Sequence, residues 1–546
     1  MCVYNRLLSR RFLVKLCFGF LLMATVAACG ASPSVLSSGI ASPTRVAKQT
    51  LTFPNVGTQD VYVLDPALSP DQNSQIAVQM IFSGLVRSDR NMNVIPDQAT
   101  WDVSSDNRTY TFHLKPDIFF SDGTPVTAQS YVYSWNRALL PALNSTSANL
   151  YEAQIAGYTE MSKGKAKSLS GLKALDSKTL LVRLAHPVAY FLQTLTNPVF
   201  YPINKKLIDL YGQTNWTQHV VGTGVGTGPF VVSSWQHNIK MVFTPNMYYY
   251  GAPTKLKTVN MVFADDPSTA FKSYRAGQFD FIWNLTPQDE ATVSSSAGFV
   301  STQQLVTDGL FFNVKSPPFD NPIVRQAFAY ATDRDSIAHT IFQDSVIPAT
   351  TLLPTIIPGY SQTNTGLTYN KARAQSLLQS VYPDVKQVPP IVFSYSSSQV
   401  SNDEATALQT MWNQNLGIKV SLRAVEQNAF NDESSMHQIQ FGFTQWSADF
   451  PDPNPYLSSN LLSTAASNSG QWSNQEFDQL ANAAEQTTDG SRMALYAQAE
   501  QVALNDAALV PLDFETLAGV IPSTVHGVAL NGQGLYFGDW SQVTVY

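Results

Sequence analysis

The chain has very little cysteine and little charge. Cys2, Cys17 and Cys29 are the only cysteines among its 546 residues, and all three lie near the amino terminus. Once residues 1–28 are removed on export, no free thiol is left in the folded body, which excludes disulfides, cysteine metal sites and cysteine nucleophiles. Charged residues make up 13 % of the chain, about half of the usual ~25 %. We therefore expect uncharged polar side chains to cover much of the surface.

Basic residues are outnumbered by acidic ones. The chain has 33 lysines and arginines against 40 aspartates and glutamates, which gives a formal net charge of −7. Such a chain has no general attraction for phosphate backbones, so nucleic acid is not expected as a partner.

Beyond residue 28 the sequence has no apolar run long enough for a membrane span. The first 28 residues have a basic head and an apolar run from Leu16 to Ala28, which is the order of a signal peptide. The run ends in VAAC, which resembles a bacterial lipobox and predicts lipid attachment at Cys29. Two alternatives stay open: an uncleaved signal anchor, and ordinary cleavage that leaves Cys29 unmodified. Residues 29–50, rich in Ser, Ala, Gly and Pro, are expected to form a lipid-anchored flexible tether.

The usual catalytic motifs are missing. The sequence contains no H-E-x-x-H and no G-x-S-x-G, and its seven histidines are dispersed without metal-ligand spacing. The glycine-rich segment 222–228 lacks the Gly-Lys-Ser/Thr ending of a phosphate loop, so we interpret it as a turn. The sequence therefore predicts no enzyme, no bound metal and no cofactor.

The length predicts two to four domains, and the last third contains a recognisable βαβ unit. A predicted strand over 391–395 is followed by a capping box at 401–404, a helix that stops at Gly417, and a second strand over 418–422. Strand, helix and strand at this spacing indicate a parallel pair with a right-handed crossover. We therefore expect an α/β domain in this third.

The segment 445–453 follows an alternating strand pattern and is broken by two prolines. It places Trp446, Asp449 and Phe450 at the end of a strand, where clefts form in α/β domains. A carboxylate beside aromatic walls suits a ligand ammonium group. The residues alone favour another interpretation, in which Asp449 is a turn residue and Trp446 belongs to the core.

A series of short motifs resembles one known family. The motifs are LDP at 64–66, FSGL at 82–85, FSDGTPVTA at 120–128, TGPF at 227–230, VRQAF at 324–328 and WSAD at 446–449. In this order they resemble extracellular solute-binding protein family 5, the peptide-binding components of bacterial ABC importers. The likeness spans nearly the whole mature chain.

The resemblance implies an α/β fold, a two-lobed periplasmic-binding-protein-like clamshell with an extra third domain. Lobe I would combine residues 51–86, 196–308 and 510–546, residues 87–195 would form the extra domain, and lobe II would span 309–509. In oligopeptide-binding members the ligand lies extended between the lobes and is hydrogen-bonded like an added strand.

Carried over residue by residue, the resemblance also implies a binding site. Asp449 matches the carboxylate that pairs with the peptide ammonium group, and Trp446 matches a tryptophan that lines a side-chain pocket. Their neighbours and the segment expected to face them from the other lobe complete the set: Gln445, Ser447, Phe450, Ser69, Pro70, Asp71 and Gln72. Pro70 cannot donate a backbone hydrogen bond.

Two positions depart from the family pattern. Phe443 stands near the place where one oligopeptide binder has a basic residue for the ligand carboxylate, and Gln427 stands near the place of a pocket tryptophan. What binds the ligand's carboxyl terminus is therefore left open.

Together these expectations describe an extracytoplasmic, lipid-anchored monomer that captures short peptides and presents them to an ABC permease. Alternatives are another cargo in the same fold (a metal chelate, haem, glutathione or an oligosaccharide), a secreted hydrolase, and a receptor that signals through a sensor protein.

Overall fold

The computed structural model describes residues 47–68 and 71–546. The predicted signal peptide, Cys29, most of the tether, Ser69 and Pro70 lie outside the described residues. Within them, no helix has both the length and the apolar composition that a bilayer crossing requires. Residues 47–546 group into one compact unit, which is built around three larger sheets.

The strands are short except for two. In chain order they are β1 (Thr50–Val56), β2 (Val86–Ser88), β3 (Val94–Pro96), β4 (Ala99–Val103), β5 (Thr109–Leu114), β6 (Leu172–Ala174), β7 (Thr179–Arg183), β8 (Phe230–Gln236), β9 (Lys240–Pro245), β10 (Thr258–Ala264), β11 (Ile282–Trp283), β12 (Phe299–Phe312), β13 (Val346–Pro348), β14 (Ile391–Ser396), β15 (Val420–Val425), β16 (Phe441–Ser447), β17 (Leu509–Val520), β18 (Val525–His526), β19 (Val528–Asn531), β20 (Gly534–Phe537) and β21 (Thr544–Val545).

The longest helices of the described chain lie in its second half. In chain order the helices are α1 (Gln72–Ile81), α2 (Ala128–Ala138), α3 (Thr146–Tyr151), α4 (Tyr158–Ser162), α5 (Phe191–Thr194), α6 (Lys205–Tyr211), α7 (Pro267–Arg275), α8 (Pro287–Val293), α9 (Pro322–Ala331), α10 (Arg334–Thr340), α11 (Lys371–Val381), α12 (Gln399–Leu416), α13 (Gln427–Ser435), α14 (Ser458–Leu461), α15 (Gln475–Gln486) and α16 (Ser491–Asn505).

The first sheet has the strand order β1-β10-β9-β8, with β1 parallel to β10 and the others antiparallel. Its core includes Phe53 and Met261, and α1 adds Ile76. The glycine-rich segment 222–228 packs against the end of α1: a Cβ at Gly226 would lie 1.8 Å from the carbonyl oxygen of Ile81. Glycine at this position therefore permits close packing.

A second sheet, β4-β5-β7-β6, lies within residues 87–195 and is entirely antiparallel. It packs with α2 through a core that includes Phe112, Tyr131 and Trp135. The indole Nε1–H of Trp135 donates to the Phe200 carbonyl at 2.8 Å, which satisfies its polar atom inside the core.

The third sheet has seven strands in the order β11-β17-β12-β16-β14-β15, with β13 paired to β17. The predicted βαβ unit is confirmed: β14 and β15 are parallel, with Ile391 opposite Val420, and α12 connects them. The helix ends before Gly417, which has the left-handed φ of 70° that glycine tolerates.

The predicted start of α12 is wrong by three residues. The capping box was expected at 401–404, but the helix begins at Gln399, and Ser398 accepts a hydrogen bond from the amide of Ser401 at 3.0 Å. Glu404 consequently lies inside the helix and is buried.

Two long strands, β12 and β17, join the first and third cores. Phe299 and Val520 at one end of the pair pack into the first core, whereas Phe312 and Leu512 at the other end belong to the third. The chain therefore passes between the two cores along paired strands.

Candidate functional site

A cavity of about 550 Å³ lies between segments that are far apart in the sequence. It is bordered by the start of α1, the loop after α5, the middle of β12, the end of β16 and the β19–β20 hairpin. No group of three or more histidines, cysteines, aspartates and glutamates in the described part of the chain is arranged to hold a metal.

Asp449 lines this cavity just beyond the end of β16. Its carboxylate accepts a hydrogen bond from the Tyr151 hydroxyl and a long one, 3.5 Å, from Asn197. Its backbone carbonyl accepts from Gln533 at 2.6 Å. No ion pair with a cationic side chain is found for it among the described residues. Its negative charge is thus available to a ligand.

Tyr151 was missed by the sequence reasoning, since it ends the short helix α3 and lies 298 residues from its partner. Burial, together with the negative charge of Asp449, raises the pKa of Tyr151. The phenol consequently stays protonated and acts as a donor, which orients the carboxylate.

Phe450 packs into the core of residues 87–195. Its ring stacks on Tyr190 at 5.4 Å between centroids and meets Tyr151 at 6.4 Å. Tyr190 also lies 5.3 Å from the Arg492 guanidinium and donates to Glu485 at 3.3 Å. Residues 87–195 therefore contact the loop that carries Asp449 and close one side of the cavity.

Two more of the predicted residues line the cavity, Ser447 and Gln72. The Gln72 side chain donates to the backbone carbonyl of Gln533 at 2.9 Å, which ties α1 to the β19–β20 hairpin. Asp71 has a structural role, because it caps α1 by accepting from the Ser74 amide at 2.7 Å. Ser69 and Pro70 lie outside the described residues.

The four other predicted residues do not line this cavity. Trp446 is buried in a core beside Leu305. The Phe443 ring packs edge-on against Phe393 at 4.8 Å. Gln427, the first residue of α13, accepts a hydrogen bond from the Ser396 hydroxyl at 2.6 Å.

Gln445 is the last of these four, and its side chain contacts carboxylates. Its amide nitrogen donates to Asp308 at 3.2 Å and to Glu515 at 2.8 Å. The Gln445 side chain is thus engaged by the sheet itself, which leaves its backbone as the part that a ligand could contact.

The backbone of β16 offers a free edge next to the cavity. On one side β16 pairs with β12 over its whole length, from Phe441 to Ser447. On the other side β14 pairs with it only at Phe441 and Gly442. In the described structure the stretch 443–447 therefore has no strand on that edge, and an extended segment could be added there.

Comparisons with known proteins agree with this architecture. A family model described as bacterial extracellular solute-binding proteins, family 5 Middle, matches residues 93–468. The oligopeptide-binding protein OppA of Bacillus subtilis is 29 % identical over 510 residues, which cover 90 % of this chain and 92 % of OppA. The probable deoxycholate-binding periplasmic protein YgiS of Escherichia coli is 31 % identical over 483 residues, 86 % of this chain and 89 % of YgiS.

A solved structure gives the same result for the fold. The periplasmic oligopeptide-binding protein OppAIV of Borrelia burgdorferi aligns with a TM-score of 0.74 and 26 % identity, and the match covers 91 % of this chain and 100 % of that one. The expected mixed α/β clamshell is thereby confirmed.

Proposed function

Because the chain belongs to the bacterial extracellular solute-binding proteins of family 5, we propose that it captures short peptides outside the cytoplasm and delivers them to an ABC permease. The observation that carries this proposal is Asp449: a carboxylate that has no cationic partner among the described residues and is held at the wall of the cavity by a tyrosine hydroxyl. A peptide's amino-terminal ammonium group would form the missing ion pair through charge-assisted hydrogen bonds.

The free edge of β16 supports the same ligand class. Residues 443–447 would hydrogen-bond to the backbone of an extended peptide, and Ser447 places the end of that edge at the cavity. In this binding mode Gln445 and Ser447 act through their main-chain groups. Because the protein would contact mainly the ligand's backbone, the ligand's side chains would contribute little to binding.

The remaining parts of the proposal concern organisation and location. We assign residues 51–86, 196–308 and 510–546 to lobe I, 87–195 to the extra domain and 309–509 to lobe II, because β12 and β17 pass between two cores close to those boundaries. Cys29 would carry the lipid that holds a monomeric body at the outer face of the membrane. The known family members compared above are binding proteins, and we propose that this chain likewise performs no covalent chemistry.

A thermal-shift experiment tests the peptide proposal. Free peptides of two to six residues are compared with the same peptides N-acetylated, and deoxycholate serves as a third ligand. A ligand at 100 times its dissociation constant adds about 2.7 kcal/mol of stability. We expect a shift with free peptides alone, because only they carry the ammonium group. A shift with deoxycholate alone would replace peptides with an amphipathic anion as the cargo.

A further inference from the structure

We propose that the cavity has a second charged subsite, formed by Arg87 and Lys115, which binds a carboxylate of the ligand. This inference rests on the proposed peptide function and makes it more specific: the cargo is a zwitterion whose ammonium group pairs with Asp449 and whose carboxylate pairs with these two cations. All three side chains line the same cavity.

Among the residues that the structure describes, no carboxylate is in ion-pair contact with either cation. The ion pairs of the described residues involve other lysines, arginines and histidines. Lys115 instead lies over the ring of Tyr250, with its Nζ 5.2 Å from the ring centre. Burial raises the pKa of Tyr536, and the nearby charge of Arg87 acts in the opposite direction. A cation held beside aromatic rings in a cavity can accept a ligand anion without first breaking a salt bridge.

Two acidic residues that line the cavity near these cations, Asp97 and Asp539, accept hydrogen bonds from the protein itself. Asp97 is buried and accepts the hydroxyl of Tyr250 at 2.5 Å. Burial raises the pKa of Asp97, although Tyr250 and the two nearby cations act in the opposite direction. Asp539, which also lines the cavity, accepts from the amide of Ser541 at 2.9 Å. Neither of these carboxylates, nor Asp89, whose pKa the nearby charge of Arg87 helps to lower, forms an ion pair with Arg87 or Lys115 in the described part of the chain.

This arrangement provides a place for a ligand carboxylate that does not depend on position 443. The Phe443 side chain, near the place where one oligopeptide binder has a basic residue, packs among aromatic rings. The free cations of the cavity come from β2 and from the residue after β5. The ligand carboxylate has two chemical sources, the carboxyl terminus of a short peptide or an acidic side chain.

Calorimetric titration of the purified protein separates these sources. The probes are Ala-Ala-Ala, Ala-Ala-Ala amide, and Ala-Glu-Ala amide, which carries its only carboxylate on the side chain. We expect the first to bind about tenfold or more tightly than its amide, since a charged hydrogen bond is lost. Recovery of affinity with Ala-Glu-Ala amide identifies the subsite as one for acidic side chains, and no recovery identifies it as one for the carboxyl terminus.

The double variant Arg87→Gln/Lys115→Gln should bind Ala-Ala-Ala and its amide equally. The control variant Arg90→Gln/Lys173→Gln loses the same charge at two exposed positions outside the cavity lining and should keep the preference. Arg87→Lys, with the charge retained, should also keep it, which guards against a fold defect in the double variant.

Equal binding of Ala-Ala-Ala, Ala-Ala-Ala amide and Ala-Glu-Ala amide to the unmodified protein overturns the second subsite and leaves the peptide proposal intact. Equal loss of the preference in the control variant also overturns it, because the effect would then come from overall charge. Absence of binding by every peptide overturns the peptide proposal itself.

Discussion

The hydroxyl of Tyr151 donates a hydrogen bond to the carboxylate of Asp449, across 298 residues of chain. Tyr151 ends a helix of the 87–195 segment, whereas Asp449 follows β16 of the seven-stranded sheet. The contact joins two parts of the molecule at the wall of the cavity. The orientation of the Asp449 carboxylate, the proposed acceptor of the ammonium group, therefore depends on a residue outside its own sheet.

Replacement of Tyr151 by phenylalanine should weaken binding of free-amine peptides by about 0.5–1.5 kcal/mol, the net value of one hydrogen bond. The reason is that the Asp449 carboxylate loses the donor that orients it. Combined with Asp449→Asn, the tyrosine change should add little, since both act on one interaction. Calorimetric titration of the two single variants and the double variant measures this coupling.

Tyr158→Phe is the matched control for that cycle. The Tyr158 hydroxyl donates to Asn149 at 3.1 Å and makes no bond to Asp449. Its loss should leave peptide affinity unchanged. A full additive loss in the Tyr151/Asp449 double variant would show that the two residues act independently.

Tyr190→Ala should accelerate peptide dissociation more than it slows association. The substitution removes the stacking on Phe450 and the contact with Arg492, and thereby loosens the loop that holds Asp449. An aromatic pair contributes about 0.5–1.5 kcal/mol beyond its buried area, and changes within one interface appear mainly in the off-rate. Stopped-flow measurement of both rate constants provides the test.

Tyr190→Phe separates stacking from hydrogen bonding. It keeps the ring on Phe450 and loses only the 3.3 Å hydrogen bond to Glu485. We expect nearly unchanged dissociation. Equal acceleration in both variants would assign the effect to the hydrogen bond.

Four carboxyl groups lie together where α12 covers the seven-stranded sheet. Asp308 pairs with Asp513 across β12 and β17, Glu515 is two residues further, and Glu404 reaches them from α12. Burial raises the pKa of all four carboxyl groups. Negative charges of neighbouring members of the group raise the pKa further in Asp308, Asp513 and Glu404. For Glu404 the pKa reaches about 8. The fold therefore favours the protonated form of Glu404.

The sign of the pH dependence follows from that direction. Between about pH 4.5 and pH 8 the folded chain holds a proton on Glu404 that the unfolded chain releases, so the free energy of unfolding decreases as the pH rises. A tenfold change in proton affinity corresponds to about 1.4 kcal/mol. Glu404→Gln keeps the neutral shape and should flatten this slope and stabilise the protein at pH 8.

Urea unfolding at pH 5, 6, 7 and 8 measures that slope. Glu476→Gln changes an exposed glutamate at the start of α15 and serves as the control, with the slope preserved. An unmodified protein that is as stable at pH 8 as at pH 5, or a Glu404→Gln variant with an unchanged slope, would be inconsistent with a protonated Glu404.

Local patterns in the sequence predicted local structure well. Gly417 marked the end of α12, because a left-handed turn at a helix end needs only neighbouring residues. The start of α12 was misplaced since Ser398 and Ser401 are both acceptable caps, and only the packed helix selects between them.

The site itself could be predicted only in part. Of the residues predicted for the site, Asp449, Phe450, Ser447 and Gln72 line the cavity. Tyr151 and Tyr190 could not be found, because their roles depend on how two distant segments pack. Trp446 belongs to the same WSAD motif as Asp449. Successive side chains of β16 point to opposite faces of the sheet, however, and the Trp446 side chain lies in the core.

The central claim is that Asp449 binds the ligand's ammonium group. Calorimetric titration of Ala-Ala-Ala into the unmodified protein, Asp449→Asn and the control Asp432→Asn, which changes an exposed residue outside the cavity lining, tests it most directly. The account predicts that Asp449→Asn weakens binding by about 1.5–3 kcal/mol, the value of a charged hydrogen bond, and that Asp432→Asn has no effect. Unchanged affinity in Asp449→Asn would contradict the account.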